Sequence, residues 1–230
     1  MSSEFDTRRY WRRRRVLAGE LYRPASVHLV ILGEAPPPER FFYFGDSLFF
    51  RYLARAFAPF VGEEIAGDAG RFLALYRAIG GWRIDVCEEP VRASKGGADD
   101  VSECLESFRA RWDALPLVPD AVLIVSPKRL YAALPHPLQA AVTTTLPPPG
   151  QWNAHRRAFL DGMERVLTRD VGVDVLRDAA SQGDADDAAL DFKIARACAD
   201  GVDEGEVTRL LAGHPREGEL MAVWEASAEA

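Results

Sequence analysis

Cysteine and histidine are scarce in this chain, and its apolar runs are short, which removes several large classes of protein at the outset. The three cysteines, Cys87, Cys104 and Cys198, form no Cys-x-x-Cys pair and no zinc-like spacing. Buried thiols in a reducing compartment are therefore expected. No apolar run approaches the roughly 18 residues that a membrane span requires. The N-terminal arginines are not followed by an apolar stretch of signal-peptide type, so a cytoplasmic protein is expected. The four histidines are scattered: His28 reads as a satisfied core residue within a strand, and His136, His155 and His214 as structural. No metal site and no cofactor is expected.

What is present is enough apolar material for one sizeable core: 48% of 230 residues. The net charge of −7 is unevenly placed. Residues 181–230 carry 4 Lys+Arg against 12 Asp+Glu, net −8, so the remainder is net +1. The composition separates an α/β domain over residues 1–178 from an acidic helical appendage over residues 179–230, with a linker expected at 178–187. The acidic tail says little against a polyanion partner for the rest, because its field is screened beyond a Debye length of roughly 8 Å.

The chain is organised around residues 27–57. Val27–Leu32 is short and almost wholly apolar, the pattern of a strand buried on both faces of a parallel sheet. It stops at Gly33-Glu34-Ala35-Pro36. After four aromatics and Gly45-Asp46-Ser47, a helical pattern resumes at Leu48, capped by Asp46 or Ser47. Further strands are expected at residues 82–86, 121–125 and 140–146. Helical patterns separate them: one ends at Gly80-Gly81, one carries Val101 to Trp112, and one begins at Ser126-Pro127. A flexible loop is expected over residues 91–100. This alternation predicts a three-layer α/β/α sandwich with a mostly parallel sheet. Ahead of it, Arg8 to Arg15 interleaves arginines with Tyr10 and Trp11. That block is either a phosphate grip or the solvated face of a first helix.

Ile31-Leu32-Gly33-Glu34-Ala35-Pro36 resembles the first motif of the uracil-DNA glycosylase superfamily, in its thermophile-type branch. Tyr43-Phe44-Gly45-Asp46-Ser47 resembles the aromatic segment that follows it. Asp85 to Pro90 and Leu146 to Asn153 fall where the second and third motifs stand. The resemblance spans roughly residues 15–170 and implies the sandwich fold and a DNA partner, single-stranded or with a flipped base. The family extrudes a nucleotide, stacks its base on a ring and hydrolyses the N-glycosidic bond. Glu34 and Asp85 would then be catalytic. Gly33, Ala35, Pro36, Tyr43, Phe44, Asp46, Pro147, Gly150 and Asn153 would bind substrate, with Tyr43 as the stacking ring.

Two departures shape the expectation. Leu146 precedes Pro147 where the family has a His that donates to the leaving uracil, and Asp85 lies beside the place of an Asn that reads the uracil edge. A modified or damaged base is therefore expected rather than uracil, and three scattered cysteines cannot hold the branch's iron–sulfur cluster. The alternative from another class is a non-catalytic module that binds nucleic acid, or a protein partner through the acidic C-terminal region. A third reading is an enzyme acting on a free nucleoside or nucleotide.

Overall fold

The computed structural model describes residues 2–90, 101–150, 152–182 and 185–229. The loop expected at 91–100 lies outside the described residues. Helix α1 (Ser2–Leu21) leads into strand β1 (Val27–Gly33), and a 3-10 turn (Phe42–Phe44) leads to α2 (Leu48–Val61). Then follow α3 (Glu63–Ala66), α4 (Ala69–Ala78), β2 (Gly81–Asp85), α5 (Leu105–Asp113) and β3 (Leu117–Val125). The short helices α6 (Leu130–Ala133) and α7 (His136–Ala141) precede β4 (Thr144–Thr145). Helix α8 (Asn153–Val166) runs through a π turn (Leu167–Val171) to α9 (Val173–Gln182), α10 (Ala185–Ala199), α11 (Glu204–Leu211) and α12 (Glu217–Glu229).

The four strands form one sheet in the order β2-β1-β3-β4, every pair parallel. Successive side chains of a strand point to opposite faces, and the core divides accordingly. Leu29, Ile31, Val122 and Ile124 pack with Phe57, Phe72 and Phe159 on one face. Val30, Leu32, Leu123 and Val125 pack with Phe108 and Leu130 on the other. This is the α/β/α sandwich with additional C-terminal helices. Those helices lie on α1 and α4: Ile194, Val207, Leu211 and Trp224 share the larger core cluster with Leu17 and Leu21.

The N-terminal arginines do much of this joining. Arg14 is fully buried and donates to the carbonyls of Ala197 (3.3 Å), Cys198 (3.4 Å) and Val202, at the C-terminal end of α10. A cation there meets the negative end of the helix dipole. Arg13 donates to the Trp224 carbonyl (2.7 Å), lies 3.6 Å from the Trp224 ring centroid and pairs with Glu204 at 2.8 Å. His214, buried, is 2.7 Å from Asp191, which also accepts from Arg77 at 2.9 Å.

Several local expectations are corrected. Residues 140–146 are not one strand: Pro135 and Pro137 open a new helix that runs to Ala141, since proline suits a first helical turn, and only Thr144–Thr145 pair with β3. Strand β3 starts earlier, at Leu117, with an irregular stretch around Pro119, which has no N–H to pair. Ser126 does not cap a helix at residue 127. Its N–H still donates to the Leu32 carbonyl (2.9 Å), a cis Ser126-Pro127 bond follows, and the helix waits until Leu130. The linker expected at 178–187 is helical over Asp178–Gln182 and again from Ala185. His28 is exposed rather than buried in the core. Cys87 and Cys104 are not thiols but a disulfide, with Cα atoms 5.2 Å apart, which removes the thiol-based argument for a reducing compartment; Cys198 is free and buried.

Candidate functional site

Parallel strands bring all their carboxyl ends to one edge. From β1 the chain moves out to β2 and then returns past β1 to β3, so strand order reverses between β1 and β3. The crevice outside such a reversal is where open α/β sheets bind ligands. The loops after β1 (Gly33 to Pro36), β3 (Ser126 to Arg129) and β4 (Leu146 to Gly150) leave this edge. Glu34 pairs with Arg129 at 2.5 Å, not with Arg40; the Glu34 side chain is 15% exposed and that of Arg129 is 71% exposed. Ala35 is half-buried and Pro36 buried. Pro147 is half-buried beside buried Leu146, whose N–H donates to the Val125 carbonyl at 2.9 Å. The Gly150 N–H donates to Pro148 O (2.8 Å), and its carbonyl accepts from Arg156 Nε (2.8 Å). Asn153 is exposed at the start of α8.

Asp85 is buried and committed. Its Oδ1 accepts from Arg83 Nη2 at 2.7 Å, while Arg111 donates to the carbonyls of Asp85 (3.0 Å) and Val86 (2.6 Å). Gly33 stands opposite Asp85 in register. A Cβ on Gly33 would lie 1.9 Å from Asp85 Oδ1 and 2.5 Å from Arg83 Nη2, so glycine is what lets the Arg83–Asp85 pair lie across β1.

The aromatic run is core. Tyr43 is 1% exposed, its ring centroid 5.1 Å from Trp82 and 6.1 Å from Tyr22. Its hydroxyl accepts from the Arg83 N–H (2.8 Å) and donates to the Arg83 carbonyl (3.1 Å). In a parallel ladder both groups of one residue point the same way, and here they point off the free edge of β2. Tyr43 thus supplies the hydrogen bonds a fifth strand would make, and burial raises its pKa well above the ordinary value. Phe44 is buried, with its carbonyl accepting from Arg196 at 3.4 Å. Asp46 accepts from the Phe41 N–H (3.1 Å) and lies 3.7 Å from Arg196; the cap of α2 is Ser47, accepting from the Phe50 N–H at 3.1 Å.

Comparison with family models, with curated proteins and with solved structures yields no match for this chain.

Three exposed residues at this edge carry binding chemistry that sequence reasoning passed over. Lys128 and Arg129 leave β3 beside Glu34, and Trp152, 73% exposed, stands at the end of the β4 loop. Their signal was position alone: a basic pair that begins three residues past the end of a strand, and a tryptophan just before a helix. Among the described residues, no group of three or more His, Cys, Asp or Glu could hold a metal ion.

Proposed function

We propose that the carboxyl edge of the sheet recognises a base in a single strand of nucleic acid. Trp152 is the stacking surface, Lys128 and Arg129 contact phosphates, and Glu34 is the carboxylate beside the sugar. One observation carries this reading: an exposed tryptophan and two exposed cations lie on loops that leave the same sheet edge as Glu34. Stacking on an aromatic face tolerates any base, and cations track the backbone.

The reaction that fits is hydrolysis of the N-glycosidic bond. A phosphate that takes over Arg129 frees Glu34 to orient a water. The C1′–N bond breaks with its electron pair leaving on the base, the water oxygen bonds C1′, and the released proton neutralises the base or passes to solvent. A carboxylate stabilises the positive charge that builds on the sugar. Leu146, buried beside Pro147, gives the departing base no donor, so a base that leaves readily, such as a cationic alkylated purine, is the substrate class. A second reading, a module that binds without cleaving, draws on the pairing of both carboxylates, Glu34 with Arg129 and Asp85 with Arg83.

The test is fluorescence anisotropy with labelled single-stranded oligonucleotides. Trp152→Ala weakens binding by roughly 5- to 150-fold, the equivalent of about 1–3 kcal/mol per stacked base. Lys128→Gln and Arg129→Gln each lower the salt slope by about one. Unchanged affinity and slope in all three variants would refute this interface.

A further inference from the structure

Arg12, Arg15, Arg23, Arg83 and Arg111 gather along the free edge of β2. There α1, β2 and α5 border an open cavity of about 290 Å³. Its walls are apolar at Val16, Trp82, Ile84 and Leu115, and its charged groups come from all three elements. Most of those charges are already matched. Arg83 holds Asp85 at 2.7 Å; Arg12 and Arg111 share Glu88 at 3.4 and 3.7 Å; Arg23 pairs with Glu20 at 3.4 Å.

Arg15 is the exception. It lines the cavity from α1, is only 5% exposed, and its Nε is buried with no hydrogen-bond partner among the described residues. Its pKa is lowered, first by desolvation, against which the charges of Glu89 and Asp85 act. Three further lining residues also carry buried donors with no hydrogen-bond acceptor: the indole Nε1 of Trp82, Nη1 of Arg83 and Nε of Arg111. A guanidinium taken out of water without a partner is strongly unfavourable, and all the unmet groups are donors. What they lack is an acceptor with negative charge.

We propose that this cavity binds a small molecule with an oxyanion head and an apolar or planar body, the head bonded by Arg15 and the body lying against Trp82. The head is a phosphate ester or a carboxylate, the two groups whose geometry a guanidinium fork matches. The site adjoins the carboxyl edge at Pro36 and Asp85, but Lys128, Arg129 and Trp152 do not line it, so it stands whether or not those residues bind nucleic acid.

The test is isothermal titration of the full chain with four probes: phenyl phosphate, benzoate, inorganic phosphate and phenol. Phenyl phosphate or benzoate binds, and which of the two is tighter identifies the head group. Inorganic phosphate binds more weakly for want of a body, and phenol does not bind. Arg15→Met weakens the preferred probe by roughly tenfold or more, the effect of losing a charge-assisted bond, and unfolds no more easily than wild type in the absence of probe. A purely structural arginine would give the opposite stability result. Failure of both anions to bind wild type, phenol binding as well as they do, or full affinity in Arg15→Met would each overturn the proposal. Should Arg15→Met not fold, that too contradicts it, and the wild-type comparison of benzoate with phenol decides independently.

Discussion

Replacing Tyr43 by Phe isolates one oxygen atom. The ring and its packing against Trp82, Tyr22 and Phe42 stay, and what is lost is the hydroxyl that bridges the Arg83 N–H at 2.8 Å and the Arg83 carbonyl at 3.1 Å. Water cannot replace it without repacking, because Tyr43 is 1% exposed. A buried backbone donor left without a partner costs about 1–3 kcal/mol, and the carbonyl loses its donor too. The expected loss is about 2 kcal/mol, which for a chain of this size is a fall of roughly 4–8 °C in Tm. Urea melts followed by tryptophan fluorescence should give a lower midpoint with an unchanged slope, since the surface exposed on unfolding is the same. Amide exchange at Arg83 should accelerate selectively. A midpoint equal to wild type, with the Arg83 amide equally protected, would refute the role assigned to this hydroxyl.

Arg14 and Arg15 are neighbours with opposite expected behaviour. Arg14→Met strips the donors from three carbonyls at the end of α10 and should cost about 3 kcal/mol in urea, whereas Arg15→Met should be neutral or stabilising. Equal effects at the two positions would contradict the structure. Alkaline stability provides another check: burial raises the pKa of Tyr22, Tyr43 and Tyr76 above the ordinary 10.0, and that of Cys198 to about 12 from 9.0. A folded pKa above the unfolded one gives stability that is complete below the unfolded value and lost as pH rises past it. Stability should therefore begin to fall above about pH 9 and drop steeply above pH 10, by about 1.4 kcal/mol per pH unit for each tyrosine; a flat profile to pH 11 in urea melts would show these groups to be solvated.

The sheet was legible because its strands advertise themselves. Val27–Leu32 is apolar at nearly every position, and once the strands are parallel, the meeting of the Glu34 and Pro147 loops at one edge follows without further information. The second helix, with its Ser47 alternative for the cap, and the Gly80 stop were equally local. What stayed hidden depends on partners distant in sequence. Glu34 finds Arg129 from 95 residues away, although Arg40 lies nearer along the chain. An arginine run reads as solvated until the carbonyls that Arg14 serves, more than 180 residues on, are known. The aromatic run offered four rings for stacking, and the hydroxyl of Tyr43 proved to be committed to strand β2, while Trp152 lies exposed outside that run. The helix His136–Ala141 stayed hidden because a proline, which can end one helix, can equally open the next.

Glu34 is proposed to sit beside the sugar of a recognised base. Single-turnover cleavage of single-stranded oligonucleotides carrying uracil, hypoxanthine, xanthine or an alkylated purine, by wild type and Glu34→Gln, tests it directly. The alkylated purine should be released fastest, and Glu34→Gln should lose roughly 100-fold, equivalent to about 3 kcal/mol of transition-state stabilisation. Uracil excision that is fastest of the four and survives Glu34→Gln, or release of no base at all, would contradict it.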